Sequence, residues 1–293
     1  MDAETYLQER QILWARRRGL KLVPGVDGNG KSHRETRTRT LEDNLLEPLT
    51  EDARQEYEEA DGQEAKASGH APKMHSVYPS SALVASTCAY WRRQNDLRPL
   101  ARALKVPSTD ILSLGFEQRL PISDDVDRGI FRHDPNLDVV FRYGARHRPL
   151  MIGVEGKFTE PYSARGHGGI ASAYLEQSAL WIGLSKSRHL AESICPTDKD
   201  FSHLHVAQLL KHILGLRHAR GGSLDFRLVY LWYDVPFDAG AEHHLEIQRF
   251  AKIVAGDGIT FQAITYQEVI LGLAQACRAR HGAYVDYMVE RYL

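Results

Sequence analysis

The stretch NLDVVFRYGARHRPLMIGVEGKF, residues 136–158, contains two short apolar runs separated by a polar turn. The runs 136–143 and 149–158 are rich in β-branched and aromatic residues, and each has the length of a strand. A third run of this kind lies at 113–122, and the run at 226–236 is almost continuously apolar, which is typical of a buried strand. These runs predict a sheet whose central strands come from the quoted stretch.

Helical patterns alternate with the predicted strands along the chain. The resulting order is helix, three strands, helices, strand, helix, strand, which indicates an α/β fold around one mixed sheet. We expect helices at 5–19, 80–96, 97–104, 170–185, 203–218, 242–255 and 267–291, and a last strand at 259–265. A loop-like segment at 65–79 divides the chain into an N-terminal helical and charged extension, residues 1–72, and a main domain at 73–293.

Composition narrows the class of protein further. Of the 293 residues, 43% are hydrophobic and 26% are charged, as in an ordinary globular protein with a core. No run approaches the ~20 apolar residues that a membrane span requires, so no membrane partner is expected. The three cysteines are far apart and odd in number, which is typical of a reducing compartment. With no apolar signal segment at the start, the sequence predicts a cytoplasmic protein.

The net charge of −1 is an average over segments of opposite sign. Residues 10–41 are basic and residues 42–64 are acidic. One interpretation is a solvated surface. Another is a basic arm that contacts phosphates and is covered by the acidic segment when substrate is absent. The total therefore does not exclude a nucleic-acid partner, although phosphate binding is driven largely by Lys and Arg.

Residues 25–32, Gly-Val-Asp-Gly-Asn-Gly-Lys-Ser, match the phosphate-loop pattern G-x-x-x-x-G-K-[ST]. In that motif, backbone N–H groups surround the phosphates, the lysine contacts the outer phosphates and the serine reaches Mg²⁺. The motif works only between a buried strand and a helix N-terminus. Here Pro24 interrupts the preceding segment, and residues 33–40 contain no apolar residue. A surface turn is the preferred interpretation of Gly25–Ser32, and a nucleotide-binding NTPase is the alternative function.

Asp138 and the segment Glu155-Gly156-Lys157 introduce charges into two neighbouring apolar strands. Side chains alternate along a strand, so Glu155 and Lys157 share a face with the small Gly156 between them. Such charges are costly unless they are paired or bind a metal. Two carboxylates and a main-chain carbonyl suit Mg²⁺, which keeps several waters. A lysine beside them can orient or deprotonate a water, or stabilise charge on a phosphate. We expect Asp138, Glu155 and the Gly156 carbonyl to bind Mg²⁺, or Mn²⁺ as a substitute, with Lys157 catalytic.

Rival matches and a simpler interpretation exist for this cluster. Glu64-Ala65-Lys66 has the same E-x-K spacing, but it lies in a polar segment with no strand around it. Asp134 competes with Asp138, but it lies in the turn-like segment HDPN, whereas Asp138 opens an apolar run. The simpler interpretation is an edge-strand Glu–Lys pair with Asp138 as a turn residue.

At these residues the chain resembles the PD-(D/E)XK nuclease superfamily, and most closely a restriction-endonuclease-like branch of uncharacterised bacterial proteins. The likeness covers residues 70–270, approximately, and its motifs are short. It implies a restriction-endonuclease-like core of helix, three strands, helix and strand. It also implies that the equivalents of Asp138 and Glu155 bind the divalent metal and that the equivalent of Lys157 assists catalysis.

The resemblance implies further site residues and partners. Many relatives add an acid from the first helix or strand, and Glu117 is the candidate here, with Glu64 a weaker one. Several branches carry a functional glutamine on the following helix, where this chain has Gln208. Nucleic acid, most often DNA, is the implied substrate, and a homodimer is the implied assembly.

Histidines form a second group of candidate ligands around the helix at 203–218. His203, His205, His212 and His218 would suggest a zinc site, but no cysteine stands at a ligand spacing nearby. The helix also has a good apolar stripe without them, so we expect these histidines to be either hydrogen-bonded or exposed.

Taken with the acid–lysine cluster and the resemblance, the sequence predicts a metal-dependent nuclease, restriction- or defence-type, acting on DNA. The alternatives are an NTPase or a nuclease-like protein that binds without cleaving.

Overall fold

The computed structural model describes residues 1–26, 32–60, 64–65, 72–123, 131, 134–164 and 166–293. Its strands are β1 (Val23–Val26), β2 (Ser32–Arg37), β3 (Ile111–Arg119), β4 (Asn136–Tyr143), β5 (Met151–Lys157), β6 (Phe226–Trp232) and β7 (Thr260–Thr265). Strands β3 to β7 form one five-stranded sheet in sequence order, and β1 and β2 form a separate antiparallel pair. The α/β class with a central mixed sheet is therefore confirmed, as are all the predicted strands.

The sheet changes direction at its middle strand. Strands β3, β4 and β5 are antiparallel neighbours. Strands β5, β6 and β7 are parallel, and each parallel step requires a helical crossover. The first crossover contains α5 (Ser172–Glu176), α6 (Ser185–Ser193) and α7 (Val206–Ala219), and the second is α8 (Asp238–Ala255).

Alternation along the strands produces one core on each face of the sheet. Val139, Val154 and Leu231 face one core, and Val140, Leu228 and Trp232 face the other. The first core is closed by α1 (Ala3–Arg17), α2 (Glu51–Glu59), α3 (Ser80–Arg93), α4 (Arg98–Ala103) and α9 (Tyr266–Tyr292). Helices α6, α7 and α8 close the second. Buried residues from the N-terminal segment thus belong to the same core as α3 and α9.

A buried arginine fastens the N-terminal segment to the last helix. Arg291 is only 1% exposed. Its guanidinium donates to the main-chain oxygens of Asn44, at 2.6 Å, and Val77, at 3.0 Å, while Nε donates to Gln11 Oε1 at 2.9 Å. The same group lies over the ring of Trp14, 4.1 Å from its centroid. These contacts offset the cost of burying the charge.

The helix expected at 170–185 is wrong, and four acids of the acidic segment make ion pairs that do not support its interpretation as a cover for the basic arm. The helix expected at 170–185 is instead the short α5, a 3₁₀ turn at Ser178–Trp181, and the start of α6. The break follows from Gly183, which has a φ of +75°, and from Trp181, whose Nε1 donates back to Tyr174 O at 2.8 Å. In the acidic segment, Glu42 pairs with Arg54, and Glu47, Asp52 and Glu56 pair with the arginines of α3, so these four acids do not cover the basic arm.

The described part of the chain contains no helix with both the length and the apolar character needed to cross a bilayer.

Candidate active site

Three carboxylates lie at one level across neighbouring strands. The antiparallel register of β3 and β4 places Glu117 opposite Asp138. On the other side of β4, the register with β5 ends with Val139 opposite Val154, which are the chain neighbours of Asp138 and Glu155. The charge of Glu155 acts on Glu117 and on Asp138, and that of Glu117 acts on Asp138, so the sheet brings together the acids that the sequence singled out.

Asp138 is held by the backbone of the adjacent strand. Its Oδ2 accepts a hydrogen bond from the Gly156 N–H at 2.6 Å. A side chain at Gly156 does not fit, since a Cβ there would lie 2.5 Å from Val84 Cγ2 and 2.6 Å from Tyr266 Oη. Glycine at this position therefore allows β4, β5 and the helices α3 and α9 to pack closely around the Asp138 carboxylate.

Glu155 forms a buried charge cluster with Lys157 and His212. Glu155 is 2% exposed, and its Oε1 lies 2.6 Å from Lys157 Nζ. Its Oε2 lies 2.9 Å from Nε2 of His212, a residue of α7 that is only 1% exposed. That approach is not aligned as a hydrogen bond, so it is a close contact between two buried polar atoms. Burial alone would raise the pKa of Glu155, but Lys157 and His212 outweigh it and lower the pKa to about 2.

Lys157 remains protonated in this cluster. Burial disfavours its charge, but Glu155, Glu160 and Asp138 together raise the pKa of Lys157 above its ordinary value. The side chain is 14% exposed, so it retains access to the adjoining cleft. A lysine in this state can donate hydrogen bonds and supply positive charge, but it cannot serve as a base near neutral pH.

Glu117 has a strained backbone conformation, and neither Glu117 nor Asp138 forms an ion pair within the described residues. Glu117 has a φ of +47°, a left-handed conformation that is uncommon outside glycine. Burial, then the charges of Glu64 and Glu155, raise the pKa of Glu117 to about 8, although Asn136 Nδ2 donates to its carboxylate. Burial, followed by the charges of Glu155 and Glu117, raises the pKa of Asp138 well above its ordinary value.

This arrangement suits a hard divalent cation that keeps much of its water. Burial, followed by the charges of neighbouring acids, raises the pKa values of Glu117 and Asp138, and a bound cation would favour the ionised form of both carboxyls. The hydroxyls of Tyr57 and Tyr266 are buried with no hydrogen-bond partner among the described residues. No group of three His, Cys, Asp or Glu side chains within that part of the chain could hold a metal ion. Mg²⁺ needs only one or two carboxylates, whereas a closed zinc site needs more.

An open cleft adjoins Lys157. Its volume is about 320 Å³, and it is lined by Glu4, Lys157, Thr159, Glu160, Pro161, Ser163, His167, His203 and His205. The rings of His167 and His205 stack with their centroids 4.9 Å apart. Burial, with the nearby charge of Lys157, lowers the pKa of His205 to about 4, so its ring is neutral at pH 7. The cleft provides room for a substrate beside the charged cluster.

The remaining sequence candidates lie in varied places. Gln208 is partly exposed on α7, and its side chain makes no hydrogen bond within the described chain. His212, one turn later on the same helix, contacts Glu155 instead. The sequence predicts only an ordinary role for His212, so this contact is not foreseen. Asp134 pairs with Arg119 at 2.9 Å, as a surface turn residue would. Glu64 receives hydrogen bonds from Lys73 and Ser81, and its charge acts on Glu117.

The phosphate-loop match lies mostly outside the described residues, which omit 27–31. Its two ends are described, and Val26 pairs with Ser32 across the antiparallel β1 and β2. Ser32 therefore begins a strand, whereas the motif requires a helix N-terminus at this point.

Comparison of the chain with protein-family models, with curated proteins and with solved structures finds no match. Its chemistry is therefore inferred from its own side chains.

Proposed function

We propose that the protein is a Mg²⁺-dependent phosphodiesterase that hydrolyses nucleic acid, DNA in particular, as a member of the PD-(D/E)XK nuclease superfamily. The observation that carries the proposal is the hydrogen bond that fixes Asp138 on Gly156, next to the buried Glu155–Lys157 pair. A buried acid, a second acid and a protonated lysine at the edge of an open cleft match the needs of phosphodiester hydrolysis.

The order of elements supports the same proposal. Helix α3 precedes the antiparallel strands β3, β4 and β5, and α7 leads into the parallel β6. The single acid comes from the second of these strands and the E-x-K motif from the third, which is the arrangement that the resemblance implies. A restriction-endonuclease-like core is therefore part of the proposal, as are a homodimer and a cytoplasmic location.

Each side chain has a distinct role in the proposed reaction. Asp138, Glu155 and the Gly156 carbonyl would hold Mg²⁺, or Mn²⁺ in its place, with Glu117 assisting. When bound, the metal supplies positive charge that stabilises the developing charge on the phosphate. Lys157 orients the attacking water and donates to the phosphate, since its raised pKa excludes a role as base. His212 holds the Glu155 carboxylate from the side of α7.

Cleavage of plasmid DNA with Mg²⁺ or with EDTA tests the proposal. Asp138→Asn and Lys157→Ala are each expected to lower the rate about 10²–10³-fold, a typical loss for a group that stabilises transition-state charge. Asp134→Asn is the matched control, since Asp134 lies on the same segment but pairs with Arg119, and it should retain the rate. Metal-dependent cleavage that survives Lys157→Ala contradicts the proposal. Metal-dependent binding without cleavage would support the non-catalytic alternative, and ATP turnover lost in Lys31→Ala would support the NTPase.

A further inference from the structure

A second groove lies between α1 and α9, apart from the cleft at Lys157. Its volume is about 370 Å³, and Leu13 and Trp14 contribute apolar surface to it. Its charged lining residues are Arg10, Arg17, Arg18, Glu290 and Arg291. Four guanidinium groups and a single carboxylate give this arginine groove a surplus of positive charge.

The arginines of this groove are engaged to different degrees. Arg291 is fully buried and Arg10 donates to Tyr233 Oη at 2.9 Å, so both are fixed by the protein. Arg18 reaches Glu290 at 3.4 Å, with both side chains about half exposed. Arg17 is exposed and makes no ion pair within the described residues. The groove therefore has a cationic floor that the protein fixes and an exposed cationic rim, which favours an anionic ligand.

Helix α1 connects the arginine groove to the candidate active site. Glu4, in the first turn of α1, lines the cleft at Lys157. With a rise of 1.5 Å per residue, Arg10 lies about 9 Å and Arg17 about 20 Å from Glu4 along the helix axis. Phosphates of one B-form strand are spaced about 3.4 Å apart along the axis. The distance from cleft to Arg17 thus corresponds to about six nucleotides.

We infer that the arginine groove binds the phosphodiester backbone of the nucleic acid on one side of the cleft. The inference rests on the proposed function, and it extends the substrate contact beyond the catalytic carboxylates. Guanidinium groups bind phosphate oxygens through paired hydrogen bonds, which suits a repeating phosphate chain. Four of the nine basic residues at 10–41, namely Arg10, Arg16, Arg17 and Arg18, lie in the C-terminal half of α1 or at its C-cap.

The inference is tested by measuring the binding of a fluorescent duplex of about 30 base pairs by anisotropy. The protein carries Asp138→Asn, so that cleavage does not interfere. The added double change Arg17→Gln with Arg18→Gln is expected to raise Kd about tenfold at low salt. It should also reduce the slope of log Kd against log salt by about 1.8, at 0.9 per lost phosphate contact. Arg17→Glu alone, which leaves the Arg18–Glu290 pair intact, should weaken binding in the same direction.

Arg278→Gln with Arg280→Gln is the matched control. These exposed arginines lie on α9 outside the groove, and Arg278 pairs with Asp286 as Arg18 pairs with Glu290. The control should leave both Kd and the salt slope unchanged. Equal effects of the two double changes overturn the inference. Failure of the proposed function is separate, because it appears as a lack of Mg²⁺-dependent hydrolysis of bis(p-nitrophenyl) phosphate by the unmodified protein.

Discussion

Raising the pH of the metal-free protein from about 5 to about 8 is expected to lower its free energy of unfolding, through Glu117. The folded chain raises the pKa of this carboxyl from 4.5 to about 8. Between these values the folded state retains a proton that the unfolded state releases. The free energy of unfolding therefore falls as pH rises through this window and is level below and above it. Asp138, with its raised pKa, acts in the same direction.

The size of the effect follows from the pKa shift. Each unit corresponds to about 1.4 kcal/mol, so the three units between pH 5 and 8 give at most about 4 kcal/mol for one group. Glu117 is partly exposed, and solvent screening reduces the expected loss to about 2–3 kcal/mol. Glu155 does not interfere, because its pKa is lowered to about 2. Its contribution is present above pH 4.5 and is lost only as pH falls toward 2.

Urea unfolding in EDTA at several pH values measures this loss. Glu117→Gln, which resembles the protonated acid, should flatten the pH dependence, whereas Asp134→Asn should leave it unchanged. Mg²⁺ binds the ionised carboxylates, so its stabilisation of the protein should grow from pH 6 to pH 8. Asp138 still contributes in Glu117→Gln, so a smaller slope remains expected there. A free energy of unfolding that rises between pH 5 and 8, or a slope that is undiminished in Glu117→Gln, would refute the reasoning.

Two further perturbations test the packing of the site. Gly156→Ala should lower the free energy of unfolding by about 1–3 kcal/mol, because its Cβ collides with Val84 and Tyr266; an unchanged denaturation midpoint would show that the site can expand. His212→Ala removes a buried ring from Glu155 and should cost about 2 kcal/mol on the same measurement. A loss below about 0.5 kcal/mol, as for a surface change, would show that the contact does not stabilise the fold.

The strands and the acid–lysine cluster could be predicted because their signals are local. Apolar runs of strand length and period-2 alternation require no knowledge of the partner strand, and they located Asp138, Glu155 and Lys157 on adjacent strands. The choice between Gln208 and His212 could not be made in this way. The two residues lie one turn apart on α7, and only the packing of the helix on the sheet decides which of them reaches Glu155.

The conformation of Glu117 and the role of the acidic segment also depend on tertiary structure. A left-handed φ at a glutamate has no sequence signature, since it is imposed by the strands around it. The acidic run at 42–64 has the composition of a solvated surface. Nevertheless, Tyr57 of α2 is fully buried, and Glu56 accepts a hydrogen bond from the Phe116 N–H at 3.0 Å. Only two buried residues dock α2 onto the core. Two apolar residues are too weak a pattern to identify such a helix from the sequence.

The position of α9 has a consequence for the order in which the protein is made. Tyr266 of this helix forms a wall at Gly156, and Arg291 fastens the segment that carries the arginine groove. A ribosome that has not yet synthesised α9 therefore holds a chain with an open active-site wall and an unfastened first helix. For the proposed nuclease, we expect a chain that lacks α9 to bind DNA weakly and not to cleave it.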